Sequence, residues 1–145
     1  MVRSTRTIVK TAIFARLETG EDVLQAIEKV AQSHNVRSGQ ITLIGAVSRA
    51  RLGYFNRETG EYQDFTIEKD LEVVSGIGNI ARLVDDSIVV HAHIIVADED
   101  GACWGGHLMS GCEVSVTVEL VIIETDADLR RARDELTGLN LMDIK

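Results

Sequence analysis

Three histidines carry most of the chemistry that this sequence could perform. His91 and His93 are separated by one alanine, and His107 follows after an acidic turn at residues 98–101. On a β-strand, residues i and i+2 point to the same face, so the first two imidazoles would leave the sheet side by side. A hairpin at the acidic turn would bring His107 next to them. Three imidazoles with a fourth position open form the arrangement of a catalytic zinc site.

The neighbours of the histidine pair leave two interpretations open. Val90 and Ile94 are apolar, so the pair lies in or beside a buried region, where unpaired imidazoles are costly. A metal ion would accept a lone pair from each ring. Alternatively, His91 and His93 are core histidines bonded to backbone or carboxylate groups, and His107 belongs to a loop. The spacing favours neither, so all three remain candidate metal ligands.

Other titratable side chains are weaker candidates. Cys103 and Cys112 lie near His107, but they lack the CxxC spacing, and a lone cysteine is more often a small buried apolar residue. His34 follows a predicted helix, where the helix dipole favours a cation.

Glu119 belongs to a row of alternating polar residues on a predicted strand. It could orient a ligand histidine or act as a general base, and we name it as a weak candidate base. Such a polar face is also typical of solvated surfaces and subunit interfaces.

The elements that position these residues are mostly strands. A helix is predicted after Thr19, its candidate cap, with one apolar face from Val23 to Ala31 and a stop at Asn35. The predicted strands cover residues 7–17, 40–48, 51–55, 61–67, 71–75, 87–97, 113–124 and 139–144. The glycines at residues 76–79 are expected to turn the chain and to let backbones approach closely. This order predicts an α+β fold, with a mainly antiparallel β-sheet and one principal α-helix.

Composition narrows the function classes. A chain of 145 residues with 45% apolar residues predicts one compact domain over residues 1–145. The net charge of −8 counts against a nucleic-acid-binding protein. The longest uncharged apolar run, residues 87–97, is too short to span a membrane. Two cysteines form no disulfide scaffold, so we expect a cytoplasmic protein without a membrane partner.

Ordered blocks of this sequence resemble one known family. They include Gly20-Glu21-Asp22, Ile44-Gly45-Ala46-Val47, Gly78-Asn79-Ile80, His91-Ala92-His93 and Gly105-Gly106-His107-Leu108. In this order they are similar to the PPC (plants and prokaryotes conserved) domain, in its free-standing prokaryotic branch. The resemblance implies a core at about residues 7–124 with a C-terminal tail at residues 125–145, and a PPC-like homotrimer.

The resemblance also bears on function. It implies that His91, His93 and His107 are metal ligands, and zinc is the ion that we expect for imidazoles. Free-standing relatives have no settled activity. Their frequent label as DNA-binding proteins comes from plant relatives that use a proline-containing AT-hook, and this chain has no proline. DNA is therefore not expected as a partner.

Three hypotheses follow for the function. The first is a trimeric metal-binding protein, either without catalytic activity or as a metal-dependent enzyme whose substrate the sequence does not identify. The second is a DNA-associated protein with a local basic face. That face would comprise Arg3, Arg6, Lys10, Arg49, Arg51, Arg130, Arg131 and Arg133. The third is a scaffold or regulatory module that binds a protein or small-molecule partner.

Overall fold

A computed structural model describes residues 2–144 of the chain, and in it one helix packs against one continuous sheet. The elements are β1 (Val9–Glu18), α1 (Val23–Ser33), β2 (Gly39–Asn56), β3 (Glu61–Ile67), β4 (Leu71–Arg82), β5 (Ile88–Ala97), β6 (Cys103–Leu108), β7 (Glu113–Thr125), β8 (Arg130–Arg133) and β9 (Asn140–Asp143). Every strand pairing among them is antiparallel except that of β4 with β8. The predicted α+β class and the single principal helix are confirmed.

The sheet closes on itself. The first half of β2 pairs with β4, its second half pairs with β6, and β5 lies between β4 and β6. These four strands form a closed ring of hydrogen bonds. The apolar side chains on the inner face of the ring join the helix in one core. Closing a strongly twisted sheet in this way buries one face and leaves the other outside.

The helix begins where the sequence predicts it but with a different cap. Asp22 is the N-cap, and its Oδ1 accepts a hydrogen bond from the backbone N–H of Gln25. Thr19 instead donates its hydroxyl to the carbonyl oxygen of Val116. Val23 and Ile27 lie on the predicted apolar face, and both are buried. The helix ends at Ser33, and Asn35 adopts a left-handed φ of 55° that stops it.

Two predicted strand boundaries were wrong. The segments at residues 40–48 and 51–55 form one long strand, β2, because register shifts around Gly45 bend the strand without interrupting it. The glycine turn expected at residues 76–79 is instead the middle of β4. A Cβ on Gly78 would lie 2.2 Å from the carbonyl oxygen of His91, so this glycine permits close approach of two strands rather than a turn.

The C-terminal segment adds a hairpin that the sequence only half predicts. β9 corresponds to the expected strand at residues 139–144, whereas β8 has no counterpart among the predicted strands. β8 joins the sheet by pairing Arg130 with Arg82 of β4. Within residues 2–144, no helix has the length and apolar character needed to cross a membrane.

Candidate metal centre

The β5–β6 hairpin assembles the three histidines. Asp98 stabilises its turn by accepting backbone hydrogen bonds from Asp100 and Ala102. The resulting register places His107 directly across from His93. His91 lies two residues before His93 and therefore points to the same face. That face is the outside of the ring, because the alternate residues of β5 are buried in the core.

The nitrogens of the three rings lie at distances that suit a metal ion. One ligand nitrogen from each of His91, His93 and His107 can be chosen so that all lie within 4.8 Å of one another. The Nε2 atoms of His91 and His93 are 3.3 Å apart. Two nitrogens bound tetrahedrally at zinc–nitrogen distances of 2.0–2.1 Å would be separated by about 3.3–3.4 Å. The observed spacing therefore fits two ligands of one tetrahedral ion.

The surroundings keep two of the rings neutral. Burial, followed by the positive charge of Arg131 and the other two histidines, lowers the pKa of His91 to about 4. Burial also lowers the pKa of His107, with smaller contributions from His93 and Arg131. A neutral imidazole has a free lone pair, which is the form that binds a metal.

His107 has a buried ring nitrogen that bears on whether these residues fit a metal ion. Its Nδ1 atom is buried and has no hydrogen-bond partner. The ring of Tyr62 lies against it, with ring centres 5.0 Å apart. A buried ring nitrogen without a hydrogen-bond partner lowers the stability of a folded protein, so such atoms are rare. A ligand that used one nitrogen of this ring would fix its tautomer and orientation.

Arg131 is the neighbour that the sequence interpretation missed. Its guanidinium is buried, and Nη2 lies 3.0 Å from Nδ1 of His91 and 2.9 Å from Oδ1 of Asn79. Nη1 donates to the carbonyl oxygen of Asn140 at 3.0 Å. Burial lowers the pKa of Arg131, but an arginine remains charged in proteins. The sequence hypothesis had placed this residue in an exposed basic face. No strand was predicted at residues 130–133, so the local sequence gave no signal that this arginine would be buried.

The remaining candidates lie elsewhere. Cys112 is buried, and burial raises the pKa of its thiol to about 11, which disfavours the thiolate that would bind a metal. Cys103 is exposed at the far end of β6, and neither cysteine belongs to the histidine group among the described residues. His34 is the C-cap of α1. Glu119, on β7, pairs with Ile44 of β2 and lines a separate groove. Its role as a base therefore stays a prediction.

An open groove runs beside the histidines. It has a volume of about 620 Å³, and its walls include His91, His93, Asn79, Gln40 and Ile77. The groove gives molecules from solution direct access to the first two rings. Its size suits a small molecule.

These features define a class of protein: an α+β domain with a nearly all-antiparallel sheet, closed into a ring, that carries three converging imidazoles on its outer face. Residues 5–126 match the Plants and Prokaryotes Conserved (PCC) domain, and the chain belongs to that family. The resemblance drawn from the sequence blocks is thereby confirmed.

Three known proteins show what this chain is similar to. A metal-containing protein of Archaeoglobus fulgidus is 30% identical, with a TM-score of 0.90, over 97% of this chain and 99% of its own. A candidate DNA-binding protein of Bacteroides thetaiotaomicron is 25% identical, with a TM-score of 0.87, over 95% and 97% of the two chains. The bifunctional protein GlmU of Synechococcus sp. strain JA-3-3Ab is 32% identical over 85% of this chain, which spans only 19% of that relative.

Proposed function

We propose that this protein binds zinc through His91, His93 and His107. The observation that carries the proposal is the convergence of the three ligand nitrogens within 4.8 Å, with two of them 3.3 Å apart. The neutral rings of His91 and His107 support it, because metal binding need not displace protons from them. The metal-containing relative of A. fulgidus, which is similar over nearly its whole length, gives independent support.

Zinc suits this site better than magnesium or calcium. Neutral imidazoles suit zinc, copper, iron and nickel, whereas the hard cations magnesium and calcium bind through oxygen. A zinc ion held by three histidines with an open position can polarise a carbonyl or acidify water. The adjoining groove would admit a small-molecule substrate or ligand to that position.

We also propose a homotrimer. Support comes from the family resemblance and from apolar side chains left exposed on the outer face of β1, β2 and β7. Phe14 is 79% exposed, and Ile44 and Val116 are also uncovered. Exposed apolar side chains of this size, gathered on neighbouring strands, are typical of surfaces that another subunit covers.

A cytoplasmic location is part of the proposal. Cys103 and Cys112 are both free, and Cys103 is exposed. An exposed free thiol suits a reducing compartment.

DNA binding is not part of the proposal. Two arginines of the proposed basic face are paired with acids: Arg51 with Asp64, and Arg130 with Asp86 and Asp128. Arg131 is buried. Nonspecific DNA binding relies on free cations that contact phosphates, and these pairs reduce their number.

Metal content per subunit tests the zinc site. We expect close to one zinc per chain after dialysis and reloading, measured by elemental mass spectrometry. His93→Ala should reduce the content to near zero, because two imidazoles remain where three are needed. His34→Ala, which changes a histidine at the end of α1, is the matched control and should keep the metal.

Two results would contradict the zinc site. The first is a wild-type protein that stays metal-free after incubation with zinc. The second is a His93→Ala variant with unchanged zinc. Either result would make the histidines structural and would favour the scaffold hypothesis.

A further inference from the structure

Arg131 is a buried cation that no carboxylate of residues 2–144 pairs with. It is 7% exposed, and the acceptors around it are the neutral Oδ1 of Asn79, the carbonyl oxygen of Asn140 and Nδ1 of His91. No salt bridge to Arg131 occurs within residues 2–144. A buried charge without a counter-charge is costly, and proteins seldom retain one.

The other buried arginine shows how this fold compensates such a charge. Arg82 is 6% exposed and pairs with two carboxylates, those of Asp86 and Asp128. Both arginines have a buried Nε without a partner, so this atom does not distinguish them. The difference is the negative charge, which Arg82 has beside it and Arg131 lacks. Within residues 2–144 no carboxylate pairs with Arg131, and a bound anion would supply that charge.

The contact between Arg131 and His91 leads to the same conclusion. An arginine has only donors, so Nδ1 of His91 accepts from it, and a neutral His91 then carries its proton on Nε2. If Nε2 binds a metal, the proton must instead lie on Nδ1. Two donors, the Nδ1–H of His91 and the guanidinium, would then face each other. An acceptor between or beside them removes this conflict.

We propose that Arg131 and the metal held by the histidines together bind an oxyanion, a carboxylate or phosphate group of a small molecule. This inference rests on the proposed zinc site and names the class of ligand that the site takes. The guanidinium supplies a planar pair of donors and the charge that an oxyanion needs. Oδ1 of Asn79 and the carbonyl oxygen of Asn140 hold the guanidinium in place by accepting hydrogen bonds from it. The groove is lined by His91, His93 and Asn79, and Arg131 lies directly behind two of these residues, Asn79 and His91.

Metal and oxyanion should bind cooperatively. With Nε2 of His91 bound to a metal, this ring would carry its proton on Nδ1, and its hydrogen bond from Arg131 would be lost. The guanidinium then has a free donor for the anion. By thermodynamic linkage, the anion must raise the affinity for the metal by the same factor by which the metal raises the affinity for the anion.

The test uses full-length protein loaded with Co²⁺, whose visible absorption spectrum responds when a ligand enters its coordination sphere. The protein is titrated with acetate and, separately, with inorganic phosphate at constant ionic strength. Neutral acetamide serves as the uncharged analogue of acetate. We expect saturable binding of at least one anion, and the tighter of the two identifies the preferred headgroup. Acetamide should not bind.

Arg131→Gln should weaken anion binding by about tenfold or more, because a charge-assisted hydrogen bond pair is lost, while Co²⁺ is still bound. Arg131→Lys keeps the charge but not the paired donors. Its anion affinity should therefore lie between those of the wild type and Arg131→Gln. Arg133→Gln is the matched control, an exposed arginine on the same strand, and should behave like the wild type.

The outcomes separate the two proposals. If the wild-type protein binds no Co²⁺ or Zn²⁺, both the zinc site and the oxyanion site are overturned. If the metal binds but Arg131→Gln has the same anion affinity as the wild type, only the oxyanion site is overturned. If neither Arg131 variant folds, the wild type decides: metal affinity that is equal with and without the anion overturns the inference.

Discussion

The imidazole of His91 contacts different groups through its two nitrogens. Nδ1 accepts from Arg131, and Nε2 lies 3.3 Å from Nε2 of His93. A proton added to this ring would be partly buried and would also lie next to a guanidinium, which is why the pKa falls to about 4. The same environment keeps the ring neutral at ordinary pH, and a neutral imidazole is the form that binds a metal ion.

The lowered pKa of His91 predicts how the metal-free protein responds to acid. In the unfolded chain this ring gains a proton near its ordinary pKa of 6.5, whereas the folded protein resists protonation until about pH 4. The unfolded state therefore binds more protons between these values, and the free energy of unfolding should fall as the pH drops from 6.5 towards 4. Above pH 6.5 the contribution of His91 is fully present.

Urea unfolding in the presence of a chelator, at several pH values across this window, measures the effect. His91→Gln keeps a polar side chain but cannot titrate, so its free energy of unfolding should fall less than that of the wild type over the same range. An identical decline in the free energy of unfolding of both proteins would show that His91 gains no proton when the chain unfolds. That result would contradict the lowered pKa.

At the scale of elements, the centre depends on how closely β4 and β5 approach. Gly78 faces Ala92, directly between the two histidines of β5. The glycine leaves room that a side chain would fill. The bends in β2 act over a longer range, because they let one strand pair with β4 at one end and with β6 at the other. The hairpin that holds the histidines is thereby enclosed on both sides.

Gly78→Ala should destabilise the protein by about 1–3 kcal/mol, the usual cost of adding a methyl group where packing has no space for it. The new Cβ would lie 2.2 Å from the carbonyl oxygen of His91 and 2.7 Å from Cα of Ala92, and backbone atoms cannot move aside cheaply. The measurement is the free energy of unfolding from urea titration.

Gly105→Ala is the control for this substitution, because it places a methyl group beside the same strand with its nearest contacts at 3.4 Å. Its effect should be clearly smaller. Equal stability of the Gly78→Ala variant and the wild type would mean that the two strands can separate without cost.

For the whole molecule, apolar side chains on both faces of the sheet lead us to expect that subunits associate. The inner face packs around one core with the helix. The outer face carries the histidines on β5 and β6, and exposed apolar residues on β1, β2 and β7. A metal centre and an association surface can therefore occupy different parts of the same face without competing.

Light scattering coupled to size exclusion should give a mass three times the 15.9 kDa of the chain. Phe14→Glu places a charge where the proposed subunit contact would bury an apolar ring, and should shift the mass towards that of a monomer. Thr11→Glu, an exposed position earlier on the same strand, controls for the added charge. A wild-type mass of one chain would contradict the trimer.

The sequence by itself determined what depends on local geometry. Alternation along a strand places His91 and His93 on one face, and the acidic turn at residues 98–101 returns the chain so that His107 meets them. The apolar face of α1 and its stop at Asn35 follow from the helical repeat in the same way. Each of these features follows from residues close together in the sequence, so no knowledge of distant contacts was needed.

Only the tertiary structure decided the surroundings of the histidines. Arg131 reaches His91 across 40 residues of sequence and Asn79 across 52, because β8 attaches to β4. Gly78 is a strand residue because another backbone lies against it, which its own neighbours in sequence do not reveal. Such contacts arise when the sheet closes and the C-terminal hairpin covers one edge of the site. Closure is a property of all the pairings together, and no single segment encodes it.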